Sequence, residues 1–286
     1  MPDLVTLAEI RDRLRALGLG PGESVMLHCA LSSIGRVERG PDGLIDAVLE
    51  AVSPGGTVMM PALPDIYQPF DVLASPSTVG WVSEVFWRRP DACRSRHPSH
   101  SVAAIGPLAE TLTAGHESTD PTGVDSPYDR LRLRNGWIVL MGVDHDRNTM
   151  LHLAESLAEV PYLRRAELQV QSRSCLRTVA VEHMAYGHRQ FIGLDRRLTG
   201  AGLQQLGRIG DAVVRVMRSR SLLDHVIALL QCDPAALLCS KPSCIFCRWA
   251  RAQIAAVREG APDTEDWAAV TAREGCGDPR CECCVV

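Results

Sequence analysis

Val25-Met26-Leu27-His28-Cys29-Ala30-Leu31-Ser32-Ser33-Ile34-Gly35 opens the stretch that decides the fold, which continues as RVERGPDGLIDAVLEAVSPGGTVMMP to Pro61. Val25 to Leu31 is nearly all apolar and reads as a buried strand, followed by a polar turn at Ser32 to Gly35. From Pro41 to Val52, the apolar residues Leu44, Ile45, Val48 and Leu49 fall on one helical stripe. Gly55-Gly56 then turns the chain into a second apolar run, Thr57 to Pro61. Strand, helix and strand in this order predict a βαβ unit with parallel pairing, because parallel strands need a crossover connection between them.

Outward from this unit the alternation continues. An irregular stretch, Ala62 to Pro76, precedes a helix at Val79 to Trp87, and strands at Ser101 to Ile105 and Trp137 to Met141 flank a helix at Pro107 to Ala114. The chain is therefore expected to be α/β, with a mainly parallel central sheet flanked by helices. After Pro161 the texture changes to short strands, Ala166 to Gln171 and Arg177 to Val181, then helices at Gly207 to Met217, Ser221 to Gln231 and Cys244 to Ile254. This predicts a smaller C-terminal α+β extension. With neither an internal repeat nor a low-complexity linker, residues 1–286 are expected to form one domain, 162–255 being its C-terminal part and 256–286 a Cys-rich tail.

Composition limits the function classes. The 286 residues are 46 % hydrophobic and 22 % charged, enough for a sizeable core and unlike a disordered chain. No apolar run reaches the roughly 20 residues that span a bilayer. The N-terminus, MPDLVTLAEIRDRLRALGLGPGES, carries charges throughout and reads as an amphipathic helix closed by glycines, without the apolar core of a secretory signal. A cytoplasmic address and no membrane partner are expected. A net charge of -4 provides no broad basic footprint for nucleic acid. Eleven cysteines are many, and eight lie between Cys232 and Cys284; in a reducing compartment such clustering favours metal binding or redox chemistry over disulfides.

The densest group of titratable side chains is GVDHDRNTMLHLAE, Gly142 to Glu155, directly behind the apolar run Trp137 to Met141. Asn148 or Thr149 can cap a helix on which Thr149, His152 and Glu155 follow one another at intervals of three, making them neighbours on one face. That face would lie at the C-terminal end of a buried strand, where open α/β sheets form their ligand crevices. A carboxylate beside an imidazole fixes its tautomer and raises its basicity, as a general base requires. The competing reading makes His152 a hydrogen-bonded packing residue and Glu155 a solvated helix charge. His145 and Asp146, in the loop before the helix, read equally well as capping and hydrogen-bonding residues.

LHCALSSIGRVERGPDGLIDAVLEAVSPGGTVMMP, RSRHPSHSVAAIGPLAE, SPYDRL and GVDHDRNTMLHLAE, in this order and spacing, resemble the aminoglycoside 3-N-acetyltransferase family. The resemblance runs from the region of Leu7 to that of Ala255 and is greatest to the branch of apramycin-acetylating enzymes, through GRIGDAVVRVMRSRSLLDHVIALLQCDPAALL and the later Cys-x-x-Cys. It implies acetyl transfer from acetyl-coenzyme A to an amine of an aminoglycoside, these two small molecules being the partners. His152 is then the catalytic residue, with Glu155 orienting it and Thr149 near the thioester or its developing oxyanion. The loop Leu31-Ser32-Ser33 has free backbone N–H groups between a strand and a helix, a weak signal for a pyrophosphate. The resemblance assigns it to coenzyme A, with Arg94 and Arg96 facing phosphate and His97 and Ser101 facing the pantetheine arm. For the polycationic acceptor it implies Asp65 and Glu182, although VEHMAYGHRQF carries one more residue than the family pattern and has Met184 where an aspartate is expected.

Cys244-Ile245-Phe246-Cys247 has the spacing with which two thiolates grip one tetrahedral zinc, and His188 or His183 can supply further ligands; buried reduced cysteines on a helix fit the same pattern. Two other functions remain open: a same-scaffold acyltransferase acting on a non-antibiotic amine, and a zinc or thiol module without catalysis. The terminal CGDPRCECC reads either as a second thiolate cluster or as a tail.

Overall fold

A computed structural model describes residues 4–172, 175–185, 187, 189–260, 267 and 269–270. The first half runs α1 (Leu7–Ala16), β1 (Ser24–Cys29), α2 (Gly40–Val52), β2 (Thr57–Pro61), α3 (Trp81–Trp87), β3 (Cys93–Arg94), β4 (Val102–Ile105), α4 (Ala109–Thr113), α5 (Pro127–Leu133) and β5 (Trp137–Met141). The second half runs α6 (Met150–Leu157), β6 (Arg164–Ser172), β7 (Cys175–Met184), α7 (Asp195–Gly200), β8 (Gln205–Ile209), β9 (Ala212–Arg218), α8 (Ser219–Cys232) and α9 (Ile245–Glu259). Among the described residues, no helix is long and apolar enough to cross a membrane.

Seven strands form one sheet in the order β3-β4-β2-β1-β5-β9-β8, and β6 with β7 forms a separate hairpin. β1 lies parallel to both β2 and β5, the pairing that the opening stretch predicts. All the outer pairs are antiparallel. The α/β class holds, with parallel pairing confined to the three central strands.

These strands read as continuous apolar runs because both faces are covered. One face packs Leu27, Met60 and Val139 against Leu14, Leu44, Val48 and Phe86 of α1, α2 and α3. The opposite face packs Met26, Ile138 and Leu140 against Leu131, Leu151 and Leu222 of α5, α6 and α8.

Several elements depart from the sequence expectation, among them the short strand β3 and the helix α7, which it lacks. The helix expected at Gly207 to Met217 is instead the hairpin β8–β9, which joins the main sheet by pairing β9 with β5. Ala212, Val214 and Val216 are buried while Val213 points outward, a period of two that outweighs the helical pattern. Gly210 makes the turn at φ 54°, where a Cβ would lie 2.2 Å from the Ile34 carbonyl oxygen. The helix α5 has no counterpart in the expectation, yet its signal is local: the Ser126 hydroxyl accepts from the Asp129 N–H, and Pro127 occupies the first turn.

Parallel pairing brings the C-terminal ends of β1 and β5 side by side, Cys29 opposite Met141. The loops that leave them touch. Gly142, at φ 68°, leaves no room for a Cβ, which would lie 2.7 Å from the Cβ of Ser33. The first loop contains the 3-10 turn Leu31–Ser33 and the second leads into α6, so the two halves of the expected site meet at one end of the sheet.

Candidate functional site

Thr149 starts α6 with no side-chain cap of its own. The helix is instead capped from β1: the Thr149 N–H donates to His28 Nε2 at 3.1 Å. Burial pushes the His28 imidazole down to about 3, with His145 adding to the effect, so Nε2 keeps the lone pair that the cap uses. Its Nδ1 has no partner among the described residues.

One turn into α6, His152 Nδ1 lies 2.7 Å from Glu155 Oε2. Glu155 is fully buried, and its other oxygen accepts from the Arg189 Nε–H. Burial alone would raise the Glu155 carboxyl, but the Arg189 guanidinium and the His152 hydrogen bond and charge outweigh it and hold the group below its ordinary value. The Arg189 guanidinium is itself buried, with its centre 5.0 Å from the Tyr162 ring and 4.5 Å from the Phe246 ring. An ionised Glu155 accepts from Nδ1–H and so leaves the lone pair of His152 on Nε2. The ring stands edge-on to Phe191 at 5.1 Å and to His100 at 6.1 Å between centroids, which confines it without taking that lone pair. The sequence places His152, Glu155 and Thr149 together, and the structure does too; Arg189 has no place in the sequence expectation.

Behind His152 lies a group of neutral histidines. The Ser99 and His100 N–H groups both donate to His97 Nδ1 at 3.2 Å, while the Ser99 hydroxyl lies 2.9 Å from His100 Nδ1. Burial pushes His100 and His116 down to about 3 and takes His97 well below its ordinary value. The two residues expected at the coenzyme arm lie within this group. His97 is buried with Nδ1 already engaged, and the Ser101 hydroxyl, also buried, donates to the Ser95 carbonyl at 2.8 Å.

Arg94 is likewise turned inward. Its guanidinium donates to the Ser101 hydroxyl and to the Ser75 and Ala62 carbonyls, and its centre lies 4.2 Å from the Trp87 ring and 5.3 Å from that of Phe70. Burial lowers it to about 10. It pins the 62–76 loop to the sheet and offers no free fork to a phosphate.

Beside α6, a cavity of about 790 Å³ opens at the ends of β1 and β2. Leu31 and Ser32 line it, as expected of the loop after β1, whereas Ser33 is not among the lining residues. His28 and Thr149 stand at its buried end, and Trp81 and Arg147, neither singled out from sequence, complete the wall.

Asp65 and Glu182 lie on neighbouring surface elements. Asp65 is exposed on the loop after β2, its carboxylate accepting from the Tyr67 N–H at 3.0 Å. Glu182 is exposed near the end of β7 and pairs with Arg165 at 3.2 Å. Phe70 hydrogen-bonds in both directions along β6, and Ile66 packs on the hairpin's own small core of Leu168, Val181 and Met184. Met184, standing where an aspartate was expected, is thus a core residue and presents nothing to an acceptor.

The thiols of Cys239, Cys244 and Cys247 are buried and lie within 4.8 Å of one another, a third sulfur that the Cys-x-x-Cys spacing does not reveal. Burial raises both Cys244 and Cys247. Three thiols at one point suit a tetrahedral zinc that takes one further ligand, which would ionise them. His183 does not join them: it is exposed and its Nδ1 lies 2.9 Å from Asp120 Oδ2. His188 and the cysteines at 276, 281, 283 and 284 lie outside the described residues.

An imidazole oriented by a buried carboxylate, one turn along the helix from a residue that lines a cavity at the ends of parallel strands, is an arrangement suited to base-assisted group transfer. The chain belongs to the aminoglycoside 3-N-acetyltransferase family, whose sequence profile matches residues 26–231. It is 37 % identical over 236 residues to aminoglycoside N(3)-acetyltransferase IV of a Salmonella species, covering 81 % of this chain and 89 % of that protein. To aminoglycoside N(3)-acetyltransferase VII of Streptomyces paromomycinus it is 31 % identical over 264 residues, 79 % of this chain and 92 % of the relative. Among solved structures, a histidine-to-alanine mutant of AAC(3)-IVa in complex with a gentamicin superimposes with a TM-score of 0.82 at 35 % identity, covering 88 % of this chain and 99 % of that one. AAC-IIIb in a binary complex with coenzyme A superimposes with a TM-score of 0.76 at 27 % identity, over 80 % and 97 % of the two chains.

Proposed function

We propose that this protein transfers the acetyl group of acetyl-coenzyme A directly to the 3-amino group of an aminoglycoside within a ternary complex. The acetyl thioester occupies the buried end of the cavity at Thr149, and the amine approaches past Asp65 and Glu182, whose carboxylates suit an acceptor carrying several ammonium groups. His152 Nε2 takes the proton from the attacking nitrogen as the C–N bond forms, and the imidazolium returns it to the thiolate released when the C–S bond breaks. Thr149 lines the cavity and its hydroxyl is assigned to the developing oxyanion; its N–H is engaged by His28 and takes no part there.

The observation that carries this reading is the 2.7 Å contact of His152 Nδ1 with a buried, ionised Glu155, which leaves Nε2 as a base one turn along α6 from Thr149 in the cavity wall. Thiol release measured with acetyl-coenzyme A and a panel of apramycin, gentamicin and tobramycin tests it. Turnover with at least one antibiotic is expected. Turnover confined to a non-antibiotic amine would replace the acceptor, and none with any amine would reject the reaction.

Residues 1–286 act as one domain in this reading, working in the cytoplasm where the coenzyme is supplied. A structural zinc on Cys239, Cys244 and Cys247 would tie α9 to the preceding loop, close to the Phe246 ring that faces Arg189. With its positions filled it would have a structural role and leave the proton transfer to His152.

A further inference from the structure

Arg94 is engaged by the Ser101 hydroxyl and two backbone carbonyls, which leaves room for a further cation at the coenzyme's phosphates. The cavity wall supplies one. Arg147 lines it from the loop before α6, is exposed, and donates its guanidinium to no group among the described residues. It is the only Lys or Arg in that lining. Trp81, also in the wall, is 66 % exposed, an unusual state for an indole that has the α3 packing face available to it. Val82 and Ser83 of α3 line the same wall but are buried, so Trp81 is the exposed residue that this helix contributes to the cavity.

The orientation of a bound donor follows from the two ends of the cavity. His28 is buried and Thr149 is half-buried, the Thr149 N–H joins the two, and Thr149 leads into the helix that carries His152, so a reacting thioester belongs at their end. The phosphates and the adenine, at the far end of the pantetheine arm, then belong at the exposed end, where a cation and a free aromatic face are the groups that recognise them.

We propose that Arg147 and Trp81 form the nucleotide clamp of the donor site, Arg147 binding phosphate and Trp81 stacking on the adenine. The clamp makes the enzyme prefer coenzyme A thioesters over thioesters of shorter pantetheine carriers. This rests on the reading that acetyl-coenzyme A is the donor, and it extends that reading by naming what holds the half of the donor remote from the chemistry.

The experiment is calorimetric titration of the full chain with coenzyme A, dephospho-coenzyme A and pantetheine, together with kcat/KM for the acetyl thioester of each. In Arg147→Ala, the Kd for coenzyme A should rise about tenfold, the equivalent of one lost charge-assisted phosphate contact, while Arg147→Lys recovers part of it. Trp81→Ala should weaken both nucleotides by about tenfold, and Trp81→Phe by less. Pantetheine binding should change by less than about twofold in every variant, because pantetheine carries neither group that the clamp contacts. Both side chains are exposed, so the variants should fold, which far-ultraviolet dichroism checks. Wild-type protein that binds coenzyme A no better than pantetheine would reject the clamp. Equal losses for coenzyme A and pantetheine in Arg147→Ala and Trp81→Ala, or no loss in either, would do the same while leaving the acetyl-transfer reading intact. Failure of the wild type to bind coenzyme A at all would instead reject the donor assignment on which both rest.

Discussion

Replacing Arg189 by Met should expose how the base is built. Arg189 donates to Glu155, both side chains are buried, and the guanidinium lies against Tyr162 and Phe246, which a Met side chain can still fill. Removing one partner of a buried pair leaves an uncompensated charge and costs about 3–5 kcal/mol. At roughly 2–4 °C per kcal/mol for a chain of this size class, the melting temperature near neutral pH should fall by about 6–20 °C. The pH dependence carries the sharper test. In the wild type, Glu155 is held below its ordinary value, so its contribution is present above the unfolded pKa and is lost as pH falls through the folded one. In Arg189→Met the guanidinium no longer opposes burial, the folded pKa rises above the unfolded one, and acid relieves the buried charge. The gap between the two proteins should therefore be widest near about pH 8 and narrow towards about pH 5. A protonated Glu155 also ceases to accept from Nδ1–H, so the acid limb of kcat should move to higher pH. Differential scanning fluorimetry and thiol release across that range measure both. A gap below about 3 °C, or one that does not vary with pH, would refute the reasoning. The double variant Arg189→Met with Glu155→Leu should recover much of the stability and none of the activity.

His152→Ala should lower kcat by about 10²–10⁴-fold with coenzyme A binding retained, and near-normal turnover in the folded variant would remove its role as base. His145→Ala should act on stability instead, since that ring is buried and lies 2.9 Å from Gln204 Oε1; a kcat loss equal to that of His152→Ala would mean the wrong histidine faces the amine. His28→Ala removes the acceptor from the start of α6 and should cost about 0.5–2 kcal/mol, as loss of a helix cap does, together with part of kcat, read by thermal melts and steady-state rates. Freshly purified reduced protein should contain about one zinc per chain, and Cys239→Ser should lower both zinc content and melting temperature more than it lowers kcat. Zinc retained in the triple Cys239, Cys244 and Cys247 variant would move the metal to another site.

The parts of this molecule that are legible in sequence are those whose physics is local or periodic. The central strands can be read because burial on both faces demands unbroken apolar runs, and the His152–Glu155 pair because three residues on a helix guarantee proximity. Arg189 cannot, since it reaches Glu155 across 34 positions and no periodicity marks a residue that meets its partner only after folding. The inward contacts of Arg94 are hidden for a related reason: the carbonyls that engage it come from an irregular loop, and backbone acceptors have no letter in the sequence. Cys239 lies outside the two-residue spacing that identifies a thiolate pair. The β8–β9 hairpin reads as a helix because Ala212 to Met217 carries apolar residues at both helical and alternating positions, and the turn at Gly210-Asp211 decides between them.

The hairpin β6–β7 stands apart from the main sheet, with Leu168, Val181 and Met184 as a core of its own. Its surface carries Glu182, while His152 and Glu155 stand on α6 and the cavity is walled by the ends of β1 and β2 and by α3. Change in the hairpin is therefore nearly decoupled from the energetics of the catalytic end. If the hairpin faces the acceptor as proposed, a lineage under pressure from a new antibiotic can rewrite that surface residue by residue, with small losses of stability at each step and His152 and Glu155 untouched. Drug range in such an enzyme can drift quickly while its chemistry stays fixed.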